Sequence, residues 1–265
     1  MNRFSAHIGY LYTELPLVER LASAARDGFT AVEHPEPFEI PAPEMRQRLA
    51  DLGLTFSQIT SGMGDVAKGE KGLASLPGRE ADFRAGFEQA LEYAIEIDCP
   101  FIHPMAGVVQ GSWLAAAETY QTNFSWAIEL TEEAGKRMLI EAITIPCYFM
   151  GTLQRAIEVQ DAFGGRPALL IDSYHAAVLG TDAATWISKN AGRIGHVHMA
   201  DHPGRHEPGT GKIDFEGMLL ALAAASYGGA IGFEYIPSKT TPESARFLAD
   251  WKRLLAGASR VNQGA

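Results

Sequence analysis

The sequence predicts an α/β protein that folds as a single-domain (β/α)8 TIM barrel over residues 1–265. Eight short hydrophobic segments of strand character alternate with eight segments of helical periodicity. The 265 residues, 46% of them hydrophobic, suffice for one large core, and α/β barrels of this length are often one domain. Strands alternating with helices predict a parallel sheet, and a count of eight favours closure into a barrel over an open sheet.

Each predicted strand is a short apolar run of the kind that is buried in parallel sheets. The predicted strands are Ala6–Tyr10, Ala31–His34, Thr55–Thr60, Phe101–Met105, Met138–Ile143, Ala168–Asp172, Gly195–Ala200 and Ala230–Tyr235. No Gly-x-Gly-x-x-Gly motif follows the first strand, which argues against a dinucleotide-binding fold.

Between the strands, apolar residues recur at three- and four-residue spacing, as Phe83, Phe87 and Leu91 do. The predicted helices are Leu15–Asp27, Pro43–Leu52, Arg79–Ile97, Ser112–Ala134, Thr152–Phe163, Ala183–Ala191, Phe215–Ala225 and Pro242–Leu255. The glycine-rich segment Gly62–Gly78 follows the third strand, and two interpretations stay open: a plain long connection, or a mobile lid over a pocket.

Composition restricts the classes of function. The net charge of −10 argues against a nucleic-acid partner. Cys99 and Cys147 lie far apart, and no Cys-x-x-Cys motif occurs, so we expect free thiols and a cytoplasmic location. No apolar run has the length of a membrane span, and the N-terminus lacks the apolar core of a signal peptide, so we expect no membrane partner.

Four short apolar runs within the predicted strands end in side chains that bind metals. The four endings are Leu139-Ile140-Glu141, Leu170-Ile171-Asp172, His196-Val197-His198 and Gly232-Phe233-Glu234. In a parallel barrel these ends meet on one face, around one pocket. Buried carboxylates need a cation or several donors, and the nearby basic residues are few. Oxygen-rich ligation with one imidazole predicts a divalent metal such as Mg²⁺, Mn²⁺ or Co²⁺.

Several motifs resemble the hydroxypyruvate isomerase family. The most specific is the Pro-Gly-Arg-His-Glu-Pro-Gly-Thr-Gly run at residues 203–211, and the resemblance covers essentially the whole chain. The other matching motifs are Leu76–Glu80, Met105–Gly107, Asp172–His175 and Phe233–Tyr235. That family belongs to the xylose isomerase-like barrels, together with ketose 3-epimerases and inosose dehydratases.

The resemblance implies that Glu141, Asp172, His198 and Glu234 are the metal ligands, with Glu141 and Glu234 also acting as the acid/base pair. The chemistry of the residues agrees with this implication. Moving a carbonyl to a neighbouring carbon requires abstraction of the proton α to it. One carboxylate can take that proton and the other can return it, while a metal stabilises the enediolate.

Four further residues are predicted to bind substrate. By the resemblance, His175 lies beside the substrate oxygens and Arg205 contacts them. Glu33 and His103 lie at the ends of the second and fourth predicted strands, where we expect them to line the pocket.

Two departures from the family pattern affect the predicted substrate. His198 stands where hydroxypyruvate isomerases carry glutamine. In having histidine at this position, the chain resembles the epimerases instead. The segment Ala142–Phe149 is shorter than its family counterpart and lacks its asparagine and arginine. An arginine beside the metal would suit a carboxylate substrate. The departures therefore predict that a neutral ketose is preferred to hydroxypyruvate.

The sequence thus predicts a divalent-metal-dependent isomerase of hydroxypyruvate or a related keto acid or ketose. The alternatives are a ketose 3-epimerase, an inosose-type dehydratase and a non-catalytic sugar-binding barrel. An endonuclease on the same barrel would want more histidine ligands and a basic groove. The expected partner is a small-molecule sugar or keto-acid substrate, and the resemblance implies a homo-oligomer.

Overall fold

The computed structural model describes residues 3–263, with side chains for residues 3–255. Eight parallel strands, in the order of the sequence, form a closed barrel, which confirms the predicted fold. The strands are β1 (Phe4–His7), β2 (Ala31–His34), β3 (Thr55–Ser61), β4 (Phe101–Pro104), β5 (Arg137–Glu141), β6 (Ala168–Asp172), β7 (Ile194–His198) and β8 (Ile231–Phe233). Glu141, Asp172 and His198 are thus the last residues of their strands, and Glu234 directly follows β8.

Helices separate the strands along the chain. They are α1 (Leu17–Arg26), α2 (Ala42–Leu52), α3 (Glu80–Glu96), α4 (Trp113–Glu133), α5 (Leu153–Ala162), α6 (Ser173–Val178), α7 (Ala183–Asn190), α8 (Phe215–Ala224), α9 (Thr241–Ser244) and α10 (Leu248–Gln263). None of these described helices is both long and apolar enough to cross a bilayer.

Two helical features differ from the sequence prediction. The short helix α6 was not predicted, and the single helix predicted over Pro242–Leu255 is in fact two helices, α9 and α10. The residues between these two helices, Ala245–Phe247, include neither glycine nor proline, so the break carries no local sequence signal.

The barrel divides into two compact units. The first comprises Met1–Glu33, Leu49–Thr55 and Leu170–Ala265. Its core contains an aromatic cluster around Phe233, whose ring centroid lies 5.5 Å from that of Phe4 and 5.1 Å from that of Phe247. Because side chains alternate along a strand, Gly232 faces the opposite side of β8 from Phe233.

The second unit comprises His34–Arg48 and Phe56–Leu169. It contains the glycine-rich segment Gly62–Gly78, whose Glu70 Oε1 lies 2.6 Å from Nη1 of Arg79, the residue after the segment. Gly72 pairs with Ala106 and has a φ of +118°, and a Cβ there would lie 2.5 Å from the carbonyl oxygen of Met105. Only glycine fits this approach, and these contacts favour an attached connection over a lid.

Candidate active site

Asp172 links a strand to a helix. Its Oδ1 accepts hydrogen bonds from the backbone N–H groups of Tyr174 (2.7 Å) and His175 (3.2 Å), which caps α6. Its Oδ2 faces other side chains: it lies 3.4 Å from Arg205 Nη2 and 4.0 Å from His175 Nε2. One oxygen of the Asp172 carboxylate therefore caps α6, and the other faces the candidate site.

His196 and His198 lie two residues apart on β7, so both side chains face the same side of the strand. His198 is 2% exposed, and each of its ring nitrogens lies near a carboxylate. Its Nε2 lies 3.3 Å from Glu33 Oε2, and its Nδ1 lies 3.5 Å from Glu234 Oε2. His198 thus lies between two carboxylates, one at each ring nitrogen.

Asp201 organises the loop that follows β7. Its side chain accepts hydrogen bonds of 2.7–3.1 Å from four backbone N–H groups of that loop. The donors belong to His202, Gly209, Gly211 and Ile213. The backbone N–H of Arg205 donates to the carbonyl oxygen of Asp201 at 3.0 Å. This network holds Arg205 in a left-handed conformation, with a φ of +56°.

Arg205 carries the positive charge of the site. Its Nη2 donates to Glu234 Oε2, and the same nitrogen lies 3.4 Å from Asp172 Oδ2. The guanidinium carbon lies 5.0 Å from the ring centroid of Tyr10 and 5.4 Å from that of Tyr174. These are cation–π distances, and the two rings restrict the guanidinium to a position where it meets both carboxylates.

The electrostatics keep Glu234 ionised. Burial alone would raise the pKa of Glu234, but Arg205, His198 and His7 together hold that pKa well below its usual range. His7 Nε2 lies 3.5 Å from Glu234 Oε1, and burial lowers the pKa of His7. Glu234 is therefore a carboxylate at neutral pH and can accept a proton.

In the first unit, the structure brings three of the four predicted ligands together. Ligand atoms of Asp172, His198 and Glu234 lie within 4.8 Å of one another. The predicted substrate residues His175 and Arg205 border this group. The sequence predicted a substrate contact for Glu33 as well, and the structure places its carboxylate, 0% exposed, against His196 and His198.

In the second unit, Glu141 and His103 are neighbours. His103 Nδ1 lies 3.6 Å from Glu141 Oε2, and the two side chains are about equally buried. Burial raises the pKa of Tyr148, and the negative charge of Glu141 adds to that rise. Tyr148 therefore keeps its proton, and its hydroxyl accepts the backbone N–H of Ala106 at 3.0 Å.

Sequence reasoning missed four residues that contact the site. His7 ends β1 in the structure, but the predicted first strand, Ala6–Tyr10, continued past it, so the strand-end rule did not find it. His196 precedes His198 by two positions, so β-strand alternation would have placed it on the same face. Tyr10 ends the first predicted strand but lies beyond the observed β1, and Tyr174 lies in α6, so only the fold brings their rings to Arg205.

A parallel eight-stranded barrel with carboxylates, imidazoles and an arginine at its strand ends is a barrel suited to acid–base catalysis. The model of the family "Xylose isomerase-like TIM barrel" matches residues 21–251, and the chain belongs to this family. This confirms the resemblance found in the motifs.

Relatives of known name extend the comparison. The chain is 37% identical to a 2-oxo-tetronate isomerase of Cupriavidus necator, over 94% of this chain and 98% of that protein. It is 36% identical to a putative hydroxypyruvate isomerase of Mus musculus, over 95% of this chain and 96% of that protein. Since these nearly full-length relatives are named as isomerases, the chain is an enzyme of the isomerase class.

Solved structures also resemble the barrel. One, named AP endonuclease family 2 from Brucella melitensis, has a TM-score of 0.90 and 32% identity, and the match covers 94% of this chain and 99% of that chain. An L-ribulose 3-epimerase has a TM-score of 0.80 and 20% identity, over 99% of this chain and 97% of that chain. The second likeness supports the fold alone.

Proposed function

We propose that this protein is a divalent-metal-dependent isomerase of a short hydroxylated 2-oxo acid, of the 2-oxo-tetronate or hydroxypyruvate type. The names of its nearly full-length relatives support the substrate class. The reaction moves a carbonyl to the neighbouring hydroxyl-bearing carbon. Its intermediate is an enediolate, formed when the proton between the two oxygenated carbons is removed.

One observation carries the metal. Ligand atoms of Asp172, His198 and Glu234 lie within 4.8 Å of one another, and the strand-end pattern of the sequence adds Glu141 as the fourth proposed ligand. Three carboxylates and one imidazole suit Mg²⁺, Mn²⁺ or Co²⁺. The Arg205 guanidinium, which already contacts Asp172 and Glu234, supports a site built for positive charge. The 3.5 Å separation of His198 Nδ1 and Glu234 Oε2 also suits two ligands of one cation.

When bound, a divalent cation would polarise the substrate carbonyl and so acidify the neighbouring C–H bond. In our proposal the rest of the chemistry belongs to Glu141 and Glu234. One glutamate takes the proton from the hydroxyl-bearing carbon, the hydroxyl proton passes to the former carbonyl oxygen, and the other glutamate returns a proton to the former carbonyl carbon. The low pKa of Glu234 suits a group that begins the cycle ionised.

Arg205 and His175 would bind the substrate. The segment Ala142–Phe149 contains no arginine, which led the sequence to predict a neutral ketose. Arg205 offers an alternative source of positive charge, since its fork of N–H donors matches a carboxylate. Its position between Tyr10 and Tyr174 would keep that fork oriented while a substrate binds. We therefore favour a keto acid over a neutral ketose.

Incubation in D₂O with a panel of substrates tests the proposal. For 2-oxo-tetronate or hydroxypyruvate, we expect the carbonyl to move and deuterium to appear at the former carbonyl carbon. The matched comparison is kcat/KM for these acids and for neutral ketoses under the same conditions. A neutral ketose that outperforms both acids would overturn the substrate assignment. Absence of deuterium from every substrate would favour a non-catalytic barrel.

One observation favours a second candidate, a ketose 3-epimerase. His198 supplies an imidazole at a ligand position where hydroxypyruvate isomerases carry glutamine. The same experiment distinguishes the two reactions, because an epimerase inverts one carbon and leaves the carbonyl in place. A dehydratase would instead consume the substrate irreversibly, with loss of water.

A further inference from the structure

A buried carboxylate lies against the ring nitrogen of His198 that faces away from Glu234. Glu33 Oε2 lies 2.7 Å from His196 Nε2 and 3.3 Å from His198 Nε2. The side chains of Glu33, His196 and His198 are 0%, 1% and 2% exposed. The proposed reaction assigns no step to Glu33 or His196, so this cluster needs its own explanation.

The cluster has the residue types of a second metal site, but its geometry is that of direct hydrogen bonding. The 2.7 Å separation of Glu33 Oε2 and His196 Nε2 is a hydrogen-bond distance and leaves no space for an ion between the atoms. A Cβ on Gly232 would lie 2.2 Å from Glu33 Oε1, 2.7 Å from His198 Cδ2 and 2.9 Å from His196 Nε2. The absence of a side chain at Gly232 is what lets the three side chains meet.

Hydrogen-bond chemistry then determines which nitrogen of His198 carries the proton. A carboxylate only accepts hydrogen bonds, so both imidazoles donate their Nε2–H to Glu33. A neutral His198 protonated at Nε2 has a lone pair at Nδ1. That nitrogen lies on the side of Glu234, 3.5 Å from its Oε2, where the ligand group is. Metal-binding histidines are commonly oriented by a carboxylate in this way.

We propose that Glu33 is a positioning residue: it holds His198 in the Nε2-protonated tautomer and aims Nδ1 at the metal. His196 supports Glu33 by donating a second hydrogen bond to the same oxygen. This role rests on the proposed function only in that His198 is a metal ligand. The tautomer itself is a property of the metal-free protein and can be measured without activity.

The first experiment measures metal affinity. Metal-free protein is titrated with Mn²⁺ by calorimetry, as the unsubstituted chain, Glu33→Gln, His198→Gln and the double variant. We expect Glu33→Gln to weaken binding about 10–100-fold, as loss of an outer partner of a ligand does. In the His198→Gln background, the same substitution should change affinity little, because the histidine through which it acts is absent.

The double variant separates positioning from charge. A simple loss of negative charge near the metal would weaken binding equally in both backgrounds, and that result would overturn the proposal. So would equal affinity in the unsubstituted chain and Glu33→Gln. If the unsubstituted chain binds no Mn²⁺, the proposed function is overturned instead, and the second experiment still decides the role of Glu33.

The second experiment reads the tautomer directly. Histidine ring nitrogens labelled with ¹⁵N in the metal-free protein at neutral pH are observed by NMR, and the His198 signals are identified by their loss in His198→Gln. We expect Nε2–H in the unsubstituted chain. In Glu33→Gln, the amide can donate to Nε2, so we expect the Nδ1–H form to grow. His198 protonated at Nδ1 but not at Nε2 in the unsubstituted chain would overturn the proposal, even if Glu33→Gln did not fold.

Discussion

Glu33 and Glu234 are two carboxylates that meet the same imidazole from different sides. Glu33 lies within β2, is 0% exposed, and contacts the two imidazoles of β7. Glu234 lies one residue past β8, is partly exposed, and contacts Arg205 as well as His198 and His7. A carboxylate inside the strand thus orients a neighbouring side chain, whereas one beyond the strand end can reach a substrate.

Both glutamates are ionised, but different neighbours stabilise their charges. Burial would raise the pKa of each, and in each it is outweighed. His196 and His198 hold the pKa of Glu33 below its usual range. The pKa of Glu234 is lowered mainly by the positive charge of Arg205. The imidazoles that act on Glu33 belong to its own buried cluster, whereas Glu234 depends on positive charge that a substrate or metal can share.

Removal of the metal should have the largest effect. Because the proposed chemistry depends on a cation at Glu234 but the Glu33 cluster does not, chelation should abolish isomerase activity and leave the chain folded. Activity assays with circular dichroism check both expectations, and added Mg²⁺, Mn²⁺ or Co²⁺ should restore turnover. Full activity in a preparation shown metal-free by elemental analysis would refute the metal requirement.

Substitution of the acid/base pair comes next. Glu234→Gln and Glu141→Gln should each lower kcat by about 10²–10⁴-fold, the usual cost of a lost acid/base group. Thermal unfolding should show that both variants fold. Near-unsubstituted turnover in either variant would rule out the two-glutamate mechanism.

Substitution of His198, which lies near both carboxylates, should have an intermediate effect on metal affinity. His198→Gln should keep part of the metal affinity, since glutamine offers an oxygen ligand, while His198→Ala should lose more. Titration of each metal-free variant with Mn²⁺ measures the difference. If all three proteins bind Mn²⁺ equally, His198 is not a ligand.

The smallest effect should come from the packing around Glu33. Gly232→Ala places a Cβ 2.2 Å from Glu33 Oε1, and such overpacking should lower the free energy of unfolding by about 1–3 kcal/mol. Gly192→Ala is the matched control, because a Cβ there meets nothing within 4 Å. Denaturant unfolding of both variants measures the contrast, and equal stability would show that the cluster relaxes without cost.

Much of the fold and part of the site could be predicted from local patterns. Alternating apolar runs predicted all eight strands, with β2 and β6 at their observed bounds. The residue at each strand end identified Asp172, His198 and Glu234, because a parallel barrel collects its strand ends on one face. The roles assigned to these residues stay predictions that the experiments above test.

The sequence by itself determined which face of each strand its side chains occupy, since side-chain direction alternates with every residue. Only the tertiary structure decided which side chains meet. Glu33 and His196 are 163 residues apart in the chain, and Arg205 is 29 residues from Glu234. Their contacts depend on the lateral register of strands and on a loop conformation held by Asp201. Local periodicity carries no information about either, because both arise only when distant segments pack together.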